Sequence, residues 1–361
     1  MAITVIKTKS RNFGLDIIRA FSIWLVLLQH AGITATGFNT LKIGLVGVEV
    51  FFVLSGFLIG GILFREFEKE NSFASIKRFW IRRWFRILPV YYLFLFIKFC
   101  IDPSVGSNIF YYIFFLQNNF GPIGISFYGV TWSLVIEEWF YIVAPIFIMI
   151  AYKLTKNMKL VSLFLLAFII FENIIRYAYV THGDIPYGGV NGNVPFRFDS
   201  LFIGMTLAFI KHHFSDIFKK LQSPWVLATG VIGLLVYLRY IFNISYPIDN
   251  FADYLFPRTI GFFLLSFLIA LLIPFFYTIN SINTKSVFNK VFYWFVHWTS
   301  LLTYSIYLVH MLFFSKIINN DSFSNSYVIQ VCLSVVLTYV TSYIVYKYFE
   351  KPVLNLRERF S

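Results

Sequence analysis

Charge is scarce in this 361-residue sequence, of which Asp, Glu, Lys and Arg make up 13%. Soluble domains carry about 25% charged residues, so this chain cannot coat a water-facing surface, and a single soluble globule, a disordered chain and a coiled coil are excluded. Cysteine is also scarce: Cys100 and Cys332 lie in apolar runs, without the spacing of a metal site or a disulfide framework. The sequence has no GxSxG, HExxH or Walker motif, and no metal is expected.

Apolar residues dominate instead, at 58% of the chain. A transmembrane helix needs about 20 mostly apolar residues. The sequence therefore predicts an all-α integral membrane protein in a lipid bilayer, with about ten transmembrane helices near 13–33, 43–64, 87–101, 131–152, 160–180, 198–210, 225–242, 256–279, 299–318 and 327–348. The run at 109–120 is too short to span and is predicted to be re-entrant or interfacial.

The cations, which give a net charge of +13, lie between the apolar runs. This placement is typical of the positive-inside rule and argues against nucleic acid as a partner. Counting 109–120 as a span would place the three lysines of 153–159 outside, so both termini are predicted to be cytoplasmic, with tails at 1–12 and 352–361. A single transmembrane domain, 1–361, is expected, without a separate soluble domain.

Ionisable residues inside a membrane are costly and often functional. The first predicted span contains Asp16, Arg19 and His30. Arg19 and His30 are eleven residues apart, which places them on one helix face about 16 Å apart along the axis. Asp16 and Arg19 are spaced to neutralise one another. Arg19 and His30 either mark the two membrane interfaces or provide a histidine for proton transfer.

The fourth predicted span contains the adjacent carboxylates Glu137 and Glu138. Ser133 and Glu137 share a helix face, whereas Glu138 is rotated by about 100°, so one carboxylate is expected to face the bundle interior. Such a carboxylate could fix the tautomer of a histidine. The alternative is a buried structural pair or a cap near the start of the helix.

Three arginines, Arg82, Arg83 and Arg86, precede the third predicted span. Arginine clusters bind phosphate groups through their forked donors, so this cluster is a candidate site for a phosphorylated cofactor. The alternative is an ordinary positive-inside anchor or a contact with anionic lipid. A further histidine, His310, lies inside the ninth predicted span.

The order of these segments resembles the acyltransferase-3 family of integral membrane acyltransferases. The similar segments are GLDIIRAFSIWLVLLQH with its Arg-x10-His spacing, GVEVFFVLSGFLI, RRWFRILPVYY, TWSLVIEEWFYIVAP, FRFDSLFIG, YSIYLVH and YFEKP. The resemblance covers nearly the whole chain. It implies acyl transfer from cytoplasmic acyl-CoA, with acetyl-CoA as the default donor, to a hydroxyl of a cell-envelope or extracellular glycan or its lipid-linked precursor. It also implies a bacterial cytoplasmic (inner) membrane.

On this resemblance, His30 is the expected general base. Arg19 is expected to hold the donor arm or to steady the oxyanion, and Glu137 is expected to orient His30 or to stabilise its imidazolium. Arg82, Arg83 and Arg86 grip the phosphates of CoA. The expected supporting residues are Asp16, Ser133, Trp132 and His310. Direct transfer and an acyl-histidine intermediate both stay open. Some members of the family carry an attached extracellular hydrolase-like domain, which is not expected in this chain. Any need for a second transferase is therefore expected to be met by another protein or not to arise.

Two other classes of protein remain alternatives. A transporter or flippase of lipid-linked saccharides also needs many spans and buried charges, but such proteins often show internal repeats or broken helices. No such repeat is visible in this sequence. A membrane scaffold or sensor would not need an arginine cluster aligned with an intramembrane histidine.

Overall fold

The computed structural model describes residues 11–32, 43–118, 127–183, 185, 187–245, 254–318, 320, 322 and 326–357. All regular structure in this part of the chain is helical. The long helices are α1 Phe13–His30, α2 Ile43–Lys69, α3 Phe73–Ile101, α4 Trp132–Thr155, α5 Val161–Gly183, α6 Phe198–His213, α7 Pro224–Ser245, α8 Ile260–Ala270, α9 Val287–Ile317 and α10 Tyr327–Val345.

Short elements connect or extend these helices. Ile273–Tyr277 extends α8, and a π-helical turn, Tyr346–Glu350, joins α10 to Lys351–Leu356. The remaining short helices are Pro103–Asn108, Ile109–Ile113, Gly129–Thr131, Met158–Leu160, Tyr187–Asn191, Val194–Phe196, Ser215–Leu221 and Leu255–Arg258. Within the described ranges, nine helical segments are long and apolar enough to cross a membrane. The chain is therefore an all-α, multi-pass membrane protein, as predicted.

The sixth predicted span, 198–210, is the exception in length. It forms α6, whose 16 residues extend about 24 Å, less than the roughly 30 Å of a hydrocarbon core. Helices α2, α5 and α8 all contact α6, and most of its side chains are buried. It is a central packing helix, which explains why it tolerates a length that a lipid-facing helix would not.

Glycines bring α2 and α6 into backbone contact. A Cβ atom on Gly56 would lie 1.9 Å from the carbonyl oxygen of Leu201, and one on Gly204 would lie 1.9 Å from the carbonyl oxygen of Val53. Both distances are too short for any side chain. The small-residue spacing that begins at Gly56 in α2 therefore allows the close helix packing typical of membrane bundles.

Buried ion pairs fix α6 among its neighbours. Glu49 of α2 contacts the guanidinium group of Arg197, and Arg176 of α5 lies 2.8 Å from Asp199. All four side chains are inaccessible to solvent. Ser266 of α8 also donates to Glu49. These pairs join four helices, and they rigidify the bundle behind the site described below.

The segment predicted to be re-entrant or interfacial, 109–120, does not cross the bundle. The short helix Ile109–Ile113 packs on α3, where Tyr91 donates a hydrogen bond to the carbonyl oxygen of Tyr112 at 2.8 Å. Trp139 of α4 donates to the carbonyl oxygen of Phe115 at 2.9 Å. Residues 119 and 120 lie outside the described part, as do residues 1–10 and 358–361 of the predicted tails.

Candidate active site

The first turns of α1 hold an ion pair. Asp16 accepts hydrogen bonds from Arg11 at 2.8 Å, from Arg19 at 3.0 Å and from Ser300 of α9 at 2.8 Å. The Asp16–Arg19 pair expected from the sequence is therefore present. Because α9 contributes Ser300, the carboxylate also ties α1 to α9 and fixes the position from which Arg19 extends.

The other end of α1 carries His30, which contacts a second histidine. Nε2 of His310, on α9, lies 3.2 Å from Nδ1 of His30. Nδ1 of each ring faces a carbonyl oxygen of its own helix, Val26 at 3.1 Å and Ile306 at 3.2 Å. A carbonyl oxygen only accepts hydrogen bonds, so the network assigns the proton of each neutral ring to Nδ1.

This tautomer has a chemical consequence. The unprotonated Nε2 of His310 accepts from Nδ1 of His30, and Nε2 of His30 keeps its own lone pair. In the part of the chain that the structure describes, no residue forms a hydrogen bond with that nitrogen of His30. His30 therefore presents a basic nitrogen, whereas His310 is fully buried and acts only through His30.

A cavity of about 640 Å³ opens beside His30. We call it the histidine cavity; its lining includes Gln29, His30, Lys98, Tyr128, Trp132, Asn191, Tyr307 and Lys316. Trp132 stands edge-on to Phe52 of α2, with ring centroids 6.1 Å apart. Apolar rings and a few polar groups in a concave site are typical of small-molecule binding.

A second cavity, of about 380 Å³, lies in the middle of the bundle. We call it the central cavity; its polar lining includes Arg19, Ser55, Arg83, Arg86, Ser133, Glu137, Glu138, Tyr141, Tyr304, Tyr307 and Glu350. Ser133 and Tyr307 are hydrogen-bonded at 2.6 Å. Arg19 thus faces a polar cavity, not a lipid interface.

The described hydrogen bonds of Glu137 are formed with residues other than His30. Ser55 and Tyr141 both donate hydrogen bonds to its carboxylate and lie 2.8 Å from each other. Glu137 lines the central cavity, whereas His30 lines the histidine cavity, and His30 is oriented by His310 instead. Helix spacing predicted that Ser133 and Glu137 share a face, but it could not show which groups the neighbouring helices α2 and α9 would bring to them.

The two adjacent carboxylates also share one environment. Both Glu137 and Glu138 line the central cavity, although a rotation of 100° predicted that only one would face inward. Helix α4 is surrounded by other helices on more than one side, so a residue on either face meets protein.

A third cavity, of about 420 Å³, is strongly basic. We call it the basic cavity; its charged lining is Arg65, Glu66, Lys69, Arg78, Arg82, Arg83, Arg86 and Arg357. Arg82 lies 3.7 Å from Glu66, and Arg78 lies 2.5 Å from Glu70. Hydrogen bonds from Ser72 and Arg78 hold the pKa of Glu70 below its ordinary value. The lining keeps a large excess of positive charge, as an anion site requires.

The three cavities adjoin one another in series. Arg65, Arg83 and Arg86 line both the basic and the central cavity, and Val48 and Tyr307 line both the central and the histidine cavity. Arginines that bind phosphate would therefore stand at one end of a polar route, with a basic imidazole at the other end. All ten predicted site residues either line one of these three cavities or, as Asp16 and His310 do, bond to a residue that lines one.

Sequence reasoning missed several lining residues. Ser55 and Tyr141 carry no signal of their own, although Tyr141 follows Glu137 by one helical turn. Lys98 and Lys316 did carry a signal, because each is a cation at the predicted outer end of a span, where the positive-inside rule disfavours one.

One cluster outside the three cavities has ligands that suit a metal ion. Glu68 of α2 lies 2.7 Å from Nε2 of His212 and 3.8 Å from Nδ1 of His213. One ligand atom from each of the three lies within 4.8 Å of the others. The same contacts also form an ion-pair link between the ends of α2 and α6, and none of these three residues lines one of the three cavities.

Comparison with known proteins adds an independent result. A family model described as an acyltransferase domain matches residues 12–347. The peptidoglycan O-acetyltransferase OatA of Listeria monocytogenes is 25% identical over 363 residues, covering 94% of this chain and 55% of the relative. The putative peptidoglycan O-acetyltransferase YrhL of Bacillus subtilis is 25% identical, covering 96% of this chain and 56% of the relative.

A putative O-acetyltransferase of Staphylococcus aureus is 26% identical, covering 94% of this chain and 56% of the relative. The chain thus spans a little over half the length of these curated relatives. No solved structure matches it. The family model covers α1 to α10 and most residues that line the three cavities, and the chain therefore belongs to the acyltransferase-3 family, as its sequence motifs predicted.

Proposed function

We propose that this protein is a membrane O-acetyltransferase, which moves an acetyl group from acetyl-CoA to a hydroxyl of a cell-wall glycan. The observation that carries the proposal is the series of cavities that links an arginine cluster to the basic nitrogen of His30. The names of the bacterial relatives support peptidoglycan as the acceptor class. The protein would lie in the bacterial cytoplasmic membrane, with the basic cavity on the cytoplasmic side, where acyl-CoA is made.

The donor binds by its phosphates in the basic cavity. Guanidinium groups form forked, charge-assisted hydrogen bonds with phosphate oxygens, and six arginines line this one cavity. Arg83 and Arg86 also line the central cavity, so a molecule held by them is directed inward. Arg83 lies 5.5 Å from the ring centroid of Tyr141, which restricts the directions its fork can take.

The pantetheine arm of the donor would occupy the central cavity. Amide groups along that arm need polar partners inside the bundle, and Ser55, Ser133 and Tyr141 supply hydroxyls there. Glu137 holds Ser55 and Tyr141 together, which makes it a positioning residue for the wall of this route. Arg19 lies about 16 Å along α1 from His30, on the route that the arm would take.

His30 acts as the general base. Its Nε2 removes the proton from the acceptor hydroxyl as the oxygen attacks the thioester carbonyl carbon. The tetrahedral intermediate then expels the thiolate of CoA, so that the C–O ester bond forms and the C–S bond breaks. The imidazolium returns its proton to the thiolate. His310 holds the Nδ1 proton of His30 through each half of this cycle.

The test is acyl-CoA-dependent thiol release by purified protein in nanodiscs, supplied with soluble peptidoglycan fragments. We expect wild-type protein to release thiol and to acetylate the fragments, as seen by mass spectrometry. His30→Ala should lower the rate by about 10²- to 10⁴-fold, the usual contribution of a general base. His182→Ala is the matched control, because His182 is an exposed histidine outside the three cavities.

The same assay separates the alternatives. A transporter or flippase would release no thiol and would form no acetylated glycan. An acyl-histidine route would leave an acetyl group on the protein when acyl-CoA is added without acceptor, whereas direct transfer would not. Full activity of a correctly inserted His30→Ala protein would refute the assignment of the base.

A further inference from the structure

Two lysines stand in the wall of the histidine cavity. Lys98 lies in the last turn of α3, and Lys316 lies in the last turn of α9. Both line the same cavity as His30. The two side chains come from helices far apart in sequence, so the fold itself places two positive charges in the wall of the cavity that His30 lines.

Lysine and arginine are rare at the side of the bundle that is predicted to face outward. The predicted outer segments 34–42, 102–130, 181–197, 243–255 and 319–326 contain only Lys42 and Arg197 among Lys and Arg. Arg197 is buried and paired with Glu49, and Lys42 lies outside the described part of the chain. Lys98 and Lys316 therefore stand out against the charge pattern, and both face one cavity.

The two ammonium groups are not equally available. Nζ of Lys98 lies 3.3 Å from the carboxylate of Asp102 and 5.2 Å from the ring centroid of Phe127. Hydrogen bonds from Ser104, together with Lys98, hold the pKa of Asp102 below its ordinary value, so this partner is ionised. Lys316 is exposed, and no described residue pairs with its ammonium group.

A purely structural explanation exists for each lysine. A cation in the last turn of a helix interacts favourably with the negative end of the helix dipole. That effect acts at any position around the turn, however, and does not explain why both side chains face the cavity of His30. It also predicts no influence on which acceptor the protein uses.

We propose that the histidine cavity selects an anionic acceptor, whose carboxylate or phosphate group is held by Lys316 and Lys98 while its hydroxyl faces His30. This inference rests on the proposed acetyl transfer. Trp132 and Tyr128 in the same lining offer ring faces for the sugar. Lys316 supplies the main contact, since a ligand would displace none of the described residues from its ammonium group.

The experiment compares three acceptors in the thiol-release assay. The first is a soluble peptidoglycan fragment with free carboxylates, and the second is the same fragment with its carboxylates methyl-esterified. The third is that esterified fragment linked to a lipid diphosphate. We expect wild-type kcat/KM to be about two- to fivefold higher for at least one anionic acceptor than for the neutral one, as for a partly exposed charge pair.

The variant Lys316→Gln should lower kcat/KM for the preferred anionic acceptor by about two- to fivefold and so remove most of that preference. Lys285→Gln is the control, because Lys285 is an exposed lysine that lines none of the three cavities. Preference for the first acceptor identifies a carboxylate, and preference for the third identifies a phosphate.

Other outcomes overturn the inference. Equal kcat/KM for all three acceptors in wild-type protein would overturn the anionic acceptor. An unchanged preference in Lys316→Gln would overturn the assignment of that preference to Lys316. The proposed transfer would stand in both cases. No thiol release with any acceptor would refute the proposed function itself, and the inference with it.

Discussion

The contact between the two histidines gives a prediction that can be worked out from the structure. Nδ1 of His30 has two acceptors, the carbonyl oxygen of Val26 at 3.1 Å and Nε2 of His310 at 3.2 Å. A His310→Leu substitution removes one of them and leaves the other. The proton should stay on Nδ1 in most molecules, but the ring and its developing positive charge lose a partner.

The expected loss follows from the strength of one hydrogen bond. A net contribution of about 1 kcal/mol corresponds to roughly a fivefold change in rate, because about 1.4 kcal/mol is tenfold. We therefore expect His310→Leu to lower kcat about five- to tenfold. KM for acyl-CoA should not change, because His310 lies outside the basic cavity.

Thiol release at saturating acceptor, in matched nanodisc preparations, measures this effect. His310→Gln restores an acceptor atom near the position of Nε2, and it should recover most of the lost kcat. A buried residue that matters only for packing would not show this rescue. A His310→Leu protein with wild-type kcat, or a Gln variant as slow as the Leu variant, would refute the role of His310.

Two further predictions concern the basic cavity and the buried ion pairs. Arg86→Ala should raise KM for acyl-CoA about tenfold or more, since a hydrogen bond to a charged group contributes about 1.5–3 kcal/mol. Lys285→Ala is the control. An equal KM for acyl-CoA in both variants would mean that the arginine cluster serves only as a membrane anchor. Glu49→Gln should destabilise the protein by about 3–5 kcal/mol, because it leaves Arg197 buried without its counter-ion. Thermal unfolding in detergent measures this loss of stability. Glu66→Gln is the comparison: the Glu66 side chain is partly exposed, so its substitution should lower the free energy of unfolding by less than about 1 kcal/mol.

Much of the fold could be read from hydropathy alone. Backbone hydrogen bonds must be satisfied inside a membrane, and an α-helix satisfies them within a single segment. Apolar runs of sufficient length are therefore expected to form helices. This reasoning located nine segments that qualify as spans and the segment near 109–120 that does not cross. It treated 198–210 as a short span, since hydropathy cannot show that three neighbouring helices enclose α6.

The candidate site was predictable only in part, because the sequence pattern describes one helix at a time and not the packing of helices against one another. Helix periodicity places residues of one helix relative to each other. It predicted Arg19 and His30 on one helix face, and they line adjoining cavities; it also paired Asp16 with Arg19. It says nothing about contacts between helices. The partners of Glu137 and His30 come from α2 and α9, respectively, so the sequence could not assign them.

The sequence by itself determined the membrane location, the helical class, the family and the residues whose charge is costly in lipid, because each depends on local composition or short motifs. Tertiary structure alone decided that His310 contacts His30, that three cavities adjoin, and that Lys98 and Lys316 line the same cavity as His30. These features join helices distant in the chain, and their geometry is set by packing, such as the glycine contacts between α2 and α6.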